Sequence, residues 1–406
     1  MFITINGCRL FFDTYGSTLN VGASAVKEKP TLIVLHGGHG MVDHTLYVEF
    51  WSQFADLAQV IFLDQRGCGR SDHRSPEEWN LTYWAEDVYQ FCQALGIEKP
   101  ILAGVSMGGH VMCEYLARHP ENLGGLIFCN TEARFILDDV CAQLERLGGT
   151  EIAEIARTQF TSPTAESARQ YQEKCVPYYA KNAYSPQEIR RCIQNTPVLS
   201  HFYKNHIQAF NYLADLEKIK CPTLLMVGAE SPLHLPARAI EMAARIPPEL
   251  VTLHLFSGAG APVYKDSPEE AESIVRTYLN VFFCNPSVAI HDLAPEIAET
   301  QPFKALTTKP PRWQTLCDEL VASDRLPGHK RTTLCAIASL PEGEFNDLMK
   351  DKGALAKIKR VDIASLLLPL NESPTAQKIE VWLDSRSIVQ LDRLKERLSD
   401  TSTLTL

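Results

Sequence analysis

The chain of 406 residues contains no Cys-x-x-Cys pair, although it carries 12 cysteines. That absence removes the usual zinc-ribbon and dithiol readings. Several of the cysteines stand inside apolar runs (Cys92, Cys113, Cys129), so buried reduced thiols are expected rather than a disulfide frame. Basic excess is lacking as well: 39 Lys and Arg face 49 Asp and Glu, a formal charge of -10. A chain with no surplus of cations cannot displace the counterions of a phosphate backbone, so no nucleic-acid partner is expected. Long apolar runs are missing too, and residues 1–12 show no basic stretch ahead of a hydrophobic one. This predicts a cytoplasmic protein without a membrane partner. No metal and no cofactor is expected.

What is present is an apolar content of 45% in a chain long enough for one large α/β domain and a smaller second one. The stretch that organises the rest is Gly104-Val105-Ser106-Met107-Gly108-Gly109, preceded by the apolar run Pro100-Ile101-Leu102-Ala103 and followed by a helical pattern through Arg118. Glycines two before and two after a serine allow a tight strand-to-helix turn. Such a turn lifts the hydroxyl above the sheet edge and sets the next backbone N–H and the helix N-terminus beside it.

From the N-terminus, alternating residues on either side of Asn6-Gly7 predict a hairpin. Apolar strands are predicted at 31–35, 60–64, 126–129, 223–227 and 251–255, with helices at 46–57, 81–95 and 267–283. Continuous apolar strands alternating with helices imply an α/β fold, a mostly parallel sheet covered on both faces. The alternation stops between Asn130 and Cys221, where polar helical segments without a strand-like run predict a lid, about 131–215, over the carboxyl edge of the sheet. The first domain is expected to span 1–284. Asn285-Pro286 and Pro310-Pro311 mark a linker at 285–311, and 312–406 reads as a smaller all-α domain with nearly balanced charge. Its helices are either an independent bundle or a surface for a protein partner or self-association.

Residues 1 to about 283 resemble the α/β-hydrolase superfamily, in particular its proline-iminopeptidase-like and small esterase or lactonase branches. Four stretches carry the resemblance: His36-Gly37-Gly38, Asp64-Gln65-Arg66-Gly67-Cys68-Gly69-Arg70-Ser71, the turn at Ser106, and Gly258-Ala259-Gly260 leading to Pro268-Glu269-Glu270. The resemblance implies that Ser106 is a nucleophile and that the backbone N–H groups of Gly38 and Met107 form an oxyanion hole. It also locates two departures. The family's histidine stands seven residues before a proline, which counted back from Pro268 is Ala261. Its acid stands just before a proline after the seventh strand, and that position is Ser231.

A serine hydroxyl needs a histidine to take its proton and a carboxylate to orient that histidine, so the roles are expected to have moved if they survive. Glu230, one residue from the usual position, is the candidate acid, with Glu132 ranked behind it. His39 and His234 are the candidate relocated bases, His201 and His206 lie on the expected lid, and His110 is expected to pack against the sheet. Cys68 reads as an exposed loop cysteine. Two functions stay open. One is hydrolysis of small ester, lactone or amide substrates through Ser106 with a degenerate triad. The other is a non-catalytic relative that binds a small-molecule ligand and signals through its C-terminal helices. With no histidine at 261, slow labelling of Ser106 by a fluorophosphonate is expected, as is a gain in hydrolysis on placing His at 261 and Asp at 231.

Overall fold

The computed structural model describes residues 1–21 and 26–284, and the expected linker and helical domain at 285–406 lie outside the described residues. Strands β1 (Phe2–Ile5) and β2 (Cys8–Tyr15) form the expected hairpin, with Ile5 opposite Cys8. Both turn residues, Asn6 and Gly7, have positive φ (46° and 68°), the backbone that matches strand twist in a two-residue turn. A short antiparallel pair, β3 (Leu19–Val21) and β4 (Val26–Glu28), stands apart from the main sheet.

The main sheet adds β5 (Thr31–Leu35), β6 (Gln59–Leu63), β7 (Ile101–Val105), β8 (Gly125–Cys129), β9 (Thr223–Gly228) and β10 (Val251–Phe256). Its order is β1-β2-β6-β5-β7-β8-β9-β10. From β6 to β10 every neighbour is parallel, while β2 joins β6 antiparallel, with Phe12 opposite Leu63. Residue parity divides the core. Leu32, Val34, Val60 and Phe62 face one layer, and Ile33, Leu35, Ile61 and Leu63 face the other, all buried. A strand buried on both sides has no polar alternation, which is why these segments are continuously apolar.

The flanking helices are α1 (Val48–Trp51), α2 (Leu81–Leu95), α3 (Met107–Arg118), α4 (Leu137–Gly148), α5 (Thr150–Thr161), α6 (Ala165–Lys174), α7 (Pro186–Arg191), α8 (Pro197–Asn205), α9 (Pro236–Ala243), α10 (Val263–Asp266) and α11 (Pro268–Leu279). The helix expected over 46–57 is only one α turn, α1, between 3-10 segments. Helix α2 has clear ends: Asn80 accepts the Tyr83 N–H at 3.1 Å, and Gly96 closes it in the left-handed conformation. Trp84, Val88 and Phe91 of α2 and Val111, Met112 and Tyr115 of α3 fill one layer. Phe50 and Trp51 of α1 with Ala271, Val275 and Tyr278 of α11 fill the other. Each large side chain so buried contributes about 1.5–3 kcal/mol of hydrophobic stabilisation.

Between β8 and β9 the chain makes a helical insertion, α4 to α8, pinched at its base. The Phe135 N–H donates to Phe210 O at 3.3 Å and the Tyr212 N–H to Ala133 O at 2.7 Å. Among the described residues no helix is long and apolar enough to cross a membrane.

The crossing of α3 over the sheet leaves no room for side chains. A Cβ on Gly108 would stand 2.1 Å from Leu35 O, and one on Gly104 would stand 2.4 Å from Met112 Sδ. Because the obstacle at Gly108 is backbone, Gly108→Ala is expected to destabilise the domain by at least about 1–3 kcal/mol, read as a lower urea midpoint at unchanged m-value.

Candidate active site

Ser106 joins β7 to α3 with φ 51° and ψ -120°, a strained backbone for a residue with a Cβ. The strain is held by its neighbours. The Ser106 N–H donates to Cys129 O and Asn130 O, both at 3.1 Å, and Ser106 O accepts the Gly109 N–H at 2.8 Å. The side chain is therefore presented at the carboxyl end of the central strands, partly exposed, at the N-terminus of α3. Met107 is the first residue of that helix, where a backbone N–H has no intrahelical acceptor. The loop after β5 packs directly on the turn: a Cβ on Gly37 would stand 2.9 Å from Ser106 Cβ and 2.6 Å from Val105 O. The Gly37 N–H is already engaged, donating to Tyr47 Oη at 3.1 Å, and Gly38 follows with φ 54°.

His234 faces the serine. Its Nε2 lies 3.0 Å from Ser106 Oγ, and its Nδ1 contacts Glu132 Oε2. Glu132 Oε1 is 2.8 Å from His110 Nε2. All three of these partners of the serine's neighbourhood are buried: Glu132 is 1% exposed, His110 2% and His234 3%. Burial pushes the Glu132 carboxyl up, but His234 and His110 outweigh it and hold the group down at about 2. An ionised carboxylate only accepts, so each histidine donates to it. His234 then carries its proton on Nδ1, and its Nε2 offers a lone pair to the Ser106 hydroxyl.

Three separate elements deliver these groups. Glu132 follows β8 after Asn130, whose φ of 45° redirects the chain. The Asn130 side chain ties that turn to the 260–263 loop: its Nδ2 donates to Gly260 O at 3.2 Å and its Oδ1 accepts the Val263 N–H at 2.8 Å. His234 lies between β9 and α9. There Ser231, the residue at the family's usual acid position, accepts the His234 N–H on Oγ at 3.2 Å and so shapes the loop that carries the ring. His110 comes from α3 itself.

The remaining expectations fall elsewhere. Glu230, the candidate acid, has a half-exposed side chain whose Oε2 is 3.8 Å from Lys181 Nζ, and it pairs with no histidine among the described residues. Its backbone N–H is tied to Ala259 O at 2.9 Å, and the carboxylate beside His234 is Glu132 instead. His39 is buried on Gln65, its Nε2 3.0 Å from Gln65 Oε1, and burial with neighbouring His36 pushes its pKa well down. Gln65 also donates through Nε2 to His36 O at 2.8 Å, so this pair of histidines fastens the loop after β5 to the loop after β6. His201 lies against Trp79 and His206 at ring distances of 5.9 and 5.7 Å. Cys68, read as an exposed loop residue, is fully buried, and burial raises its thiol pKa.

Ala261 is held through its backbone by the insertion. Its N–H donates to Tyr179 O at 2.5 Å, and a Cβ on neighbouring Gly260 would stand 1.9 Å from that same oxygen. Asp266 holds the covering segment, accepting from the N–H groups of Lys181 at 3.1 Å, Asn182 at 2.7 Å and Gly260 at 2.8 Å. The insertion thus packs directly on the backbone of residues 260 and 261.

The cluster Asp43, His44 and Asp64 brings ligand-type atoms within 4.8 Å of one another. Its oxygens are already engaged: Asp64 accepts His44 Nδ1–H at 2.7 Å and the Arg70 N–H at 2.9 Å, and Asp43 accepts the Ile193 N–H at 2.8 Å. The Arg70 guanidinium stands 3.7 Å from both carboxylates and supplies the cation.

Comparison with known proteins agrees with this fold. Residues 30–268 match the family model described as the alpha/beta hydrolase fold. The chain is 27% identical over 288 residues to a proline iminopeptidase of Lactobacillus helveticus, covering 62% of this chain and 90% of that protein. Among solved structures it is similar to proline iminopeptidase of Mycobacterium smegmatis, with a TM-score of 0.57, 23% identity, and coverage of 69% and 97% of the two chains. It is also similar to a thermophilic esterase from Thermogutta terrifontis, with a TM-score of 0.50, 24% identity, and coverage of 68% and 96%. At these identities the two structures speak for the fold.

Two outcomes follow from the geometry. The stabilisation from ionised Glu132 is complete above the usual carboxylate value of 4.5 and is lost as pH falls from there towards about 2. Glu132→Gln should therefore lower the unfolding free energy at neutral pH, with the deficit relative to wild type shrinking over that acid window in urea titrations. Ala261→His should bring no gain in hydrolysis, with or without Ser231→Asp, because His234 Nε2 already stands 3.0 Å from Ser106 Oγ.

Proposed function

Since the chain belongs to the α/β-hydrolase superfamily, we propose that it is a serine hydrolase of small ester, lactone or amide substrates, with Ser106 as nucleophile, His234 as general base and Glu132 as the carboxylate that orients it. The observation that carries this reading is the 3.0 Å approach of His234 Nε2 to Ser106 Oγ, with the other ring nitrogen on Glu132. The reading keeps the chemistry of a triad and changes its addresses: the base stands after β9 and the acid after β8.

In this mechanism Ser106 Oγ attacks the substrate carbonyl carbon while its proton passes to His234 Nε2. The carbonyl π electrons move onto oxygen, and the backbone N–H groups of Met107 and Gly38 receive that charge. Glu132 stabilises the imidazolium without taking its proton, since its own pKa is held far below the histidine range. Collapse of the tetrahedral species breaks the bond to the leaving group, which takes the proton from His234. Water then attacks the acyl-enzyme with His234 again as base, returning Ser106 and the free acid. The helical insertion acts as a lid on this site, a role supported by its pinched base and by its seat on the 260–266 loop.

The test is kcat/KM on p-nitrophenyl acetate together with labelling by a fluorophosphonate. Ser106→Ala and His234→Ala are expected to lose on the order of 10⁴–10⁶-fold, and Glu132→Gln somewhat less, while Glu230→Gln stays near wild type. Labelling of the wild type should be rapid and stoichiometric, the reverse of the expectation from position 261 alone, and absent in Ser106→Ala. Wild-type turnover no higher than the background rate without protein, with no labelling, leaves a ligand-binding protein as the reading in its place.

A further inference from the structure

Glu132 has two carboxylate oxygens, and the mechanism above uses only Oε2. The other, Oε1, accepts a 2.8 Å hydrogen bond from Nε2 of His110, a second histidine to which no role has been given. We propose that His110 is a positioning residue: it clamps the Glu132 carboxylate in the one rotation that keeps the His234 proton on Nδ1 and its Nε2 lone pair on Ser106. The inference rests on the serine-hydrolase reading and extends it.

The placement of His110 follows from helix geometry. It is the fourth residue of α3, whose N-cap is Ser106, and so stands in the first turn of that helix. The helix that carries the nucleophile at its N-terminus therefore also grips the acid. Ser106 and Glu132 are held in one rigid frame, and the loop that brings His234 has a fixed acceptor to meet. A carboxylate with one bonded oxygen can swing about its Cγ–Cδ bond; one bonded at both oxygens breaks two hydrogen bonds if it turns.

The surroundings make His110 a fixed donor and not a proton shuttle. Its ring lies 4.2 Å from that of Phe210 and 6.3 Å from that of Phe202, and its Nδ1 is buried without a partner. In the neutral ring with the proton on Nε2, Nδ1 is a lone pair facing apolar surroundings. Charging the ring would bury an N–H there with nothing to receive it. The ionisable groups facing Glu132 from the packed elements are His110, His234, Tyr179, Tyr203 and Cys113, and of these only the two histidines bond to the carboxylate.

A purely structural role, neutralising a buried carboxylate, is separable by experiment. His110→Leu removes the donor, while His110→Gln keeps an N–H near the position of Nε2. Active sites are first counted by fluorophosphonate titration, so that turnover of p-nitrophenyl acetate refers to competent protein only. The expected result is a kcat per labelled site lower by roughly tenfold or more in His110→Leu with KM little changed, and recovered to within a few-fold in His110→Gln. The far-downfield proton resonance of the His234–Glu132 bond should shift or broaden in His110→Leu and persist in His110→Gln. Wild-type kcat per labelled site in His110→Leu, even with a lowered melting temperature or fewer competent sites, overturns the inference. Ser106→Ala and His234→Ala are measured in parallel. If these two abolish turnover while His110→Leu does not lower it, the positioning role alone fails; if they leave turnover intact, the hydrolase reading itself fails.

Discussion

A carboxylate buried to 1% exposure has to be answered by donors, because taking a charge out of water without partners costs several kcal/mol. Glu132 is answered twice, by His110 and by His234, and much of the candidate site follows from that. Its oxygens set the orientation of both rings. The ring of His234, once its Nδ1 is committed to the carboxylate, has only Nε2 left, and that atom meets Ser106 Oγ. Three elements converge to make this possible: the end of β8, the loop after β9 and the first turn of α3. Each is held by backbone bonds of its own, so the charge is met by groups already in place.

The same constraint accounts for the residues at the family's usual positions. Ser231 does not carry a charge, but its hydroxyl caps the turn that delivers His234. The Ala261 N–H bonds the Tyr179 carbonyl, and Asp266 accepts from the N–H groups of Lys181 and Asn182. In the proposed triad the base comes from the β9–α9 loop, and the loop after β10 instead seats the helical insertion. The two departures do not remove the base or the acid of that proposed triad, since His234 and Glu132 stand beside Ser106 instead.

His36, His39, Gln65 and Asp64 show how much polar chemistry at such a site is scaffolding. Gln65 bonds to both histidines of the loop after β5, and Asp64 binds His44 and the Arg70 backbone. These groups lie in the motif-bearing loops and look catalytic by type. Their polar atoms are mostly engaged with one another, and burial holds His36 and His39 below the usual histidine range. They keep the Gly37-Gly38 turn pressed against Ser106, where a side chain on Gly37 would not fit.

The fold was legible because it is written in local terms. Apolar runs such as Thr31–Leu35 can only be strands covered on both sides, Asn6-Gly7 can hardly be other than a hairpin turn, and the glycine spacing around Ser106 demands a strand-to-helix crossing too close for side chains. Those properties belong to a few consecutive residues, and the sequence by itself determined them, along with the place of Ser106 at the sheet edge. A signal for His110 was also there, four residues beyond the serine on a helix, but periodicity names the face and not the partner. Tertiary structure alone decided which carboxylate meets which histidine. Glu132 and His234 are 102 residues apart, and Glu230, much nearer to His234 in the chain, turns outward to Lys181. A hydrogen bond between side chains depends on where two backbones end after packing, and no spacing along the chain encodes that distance.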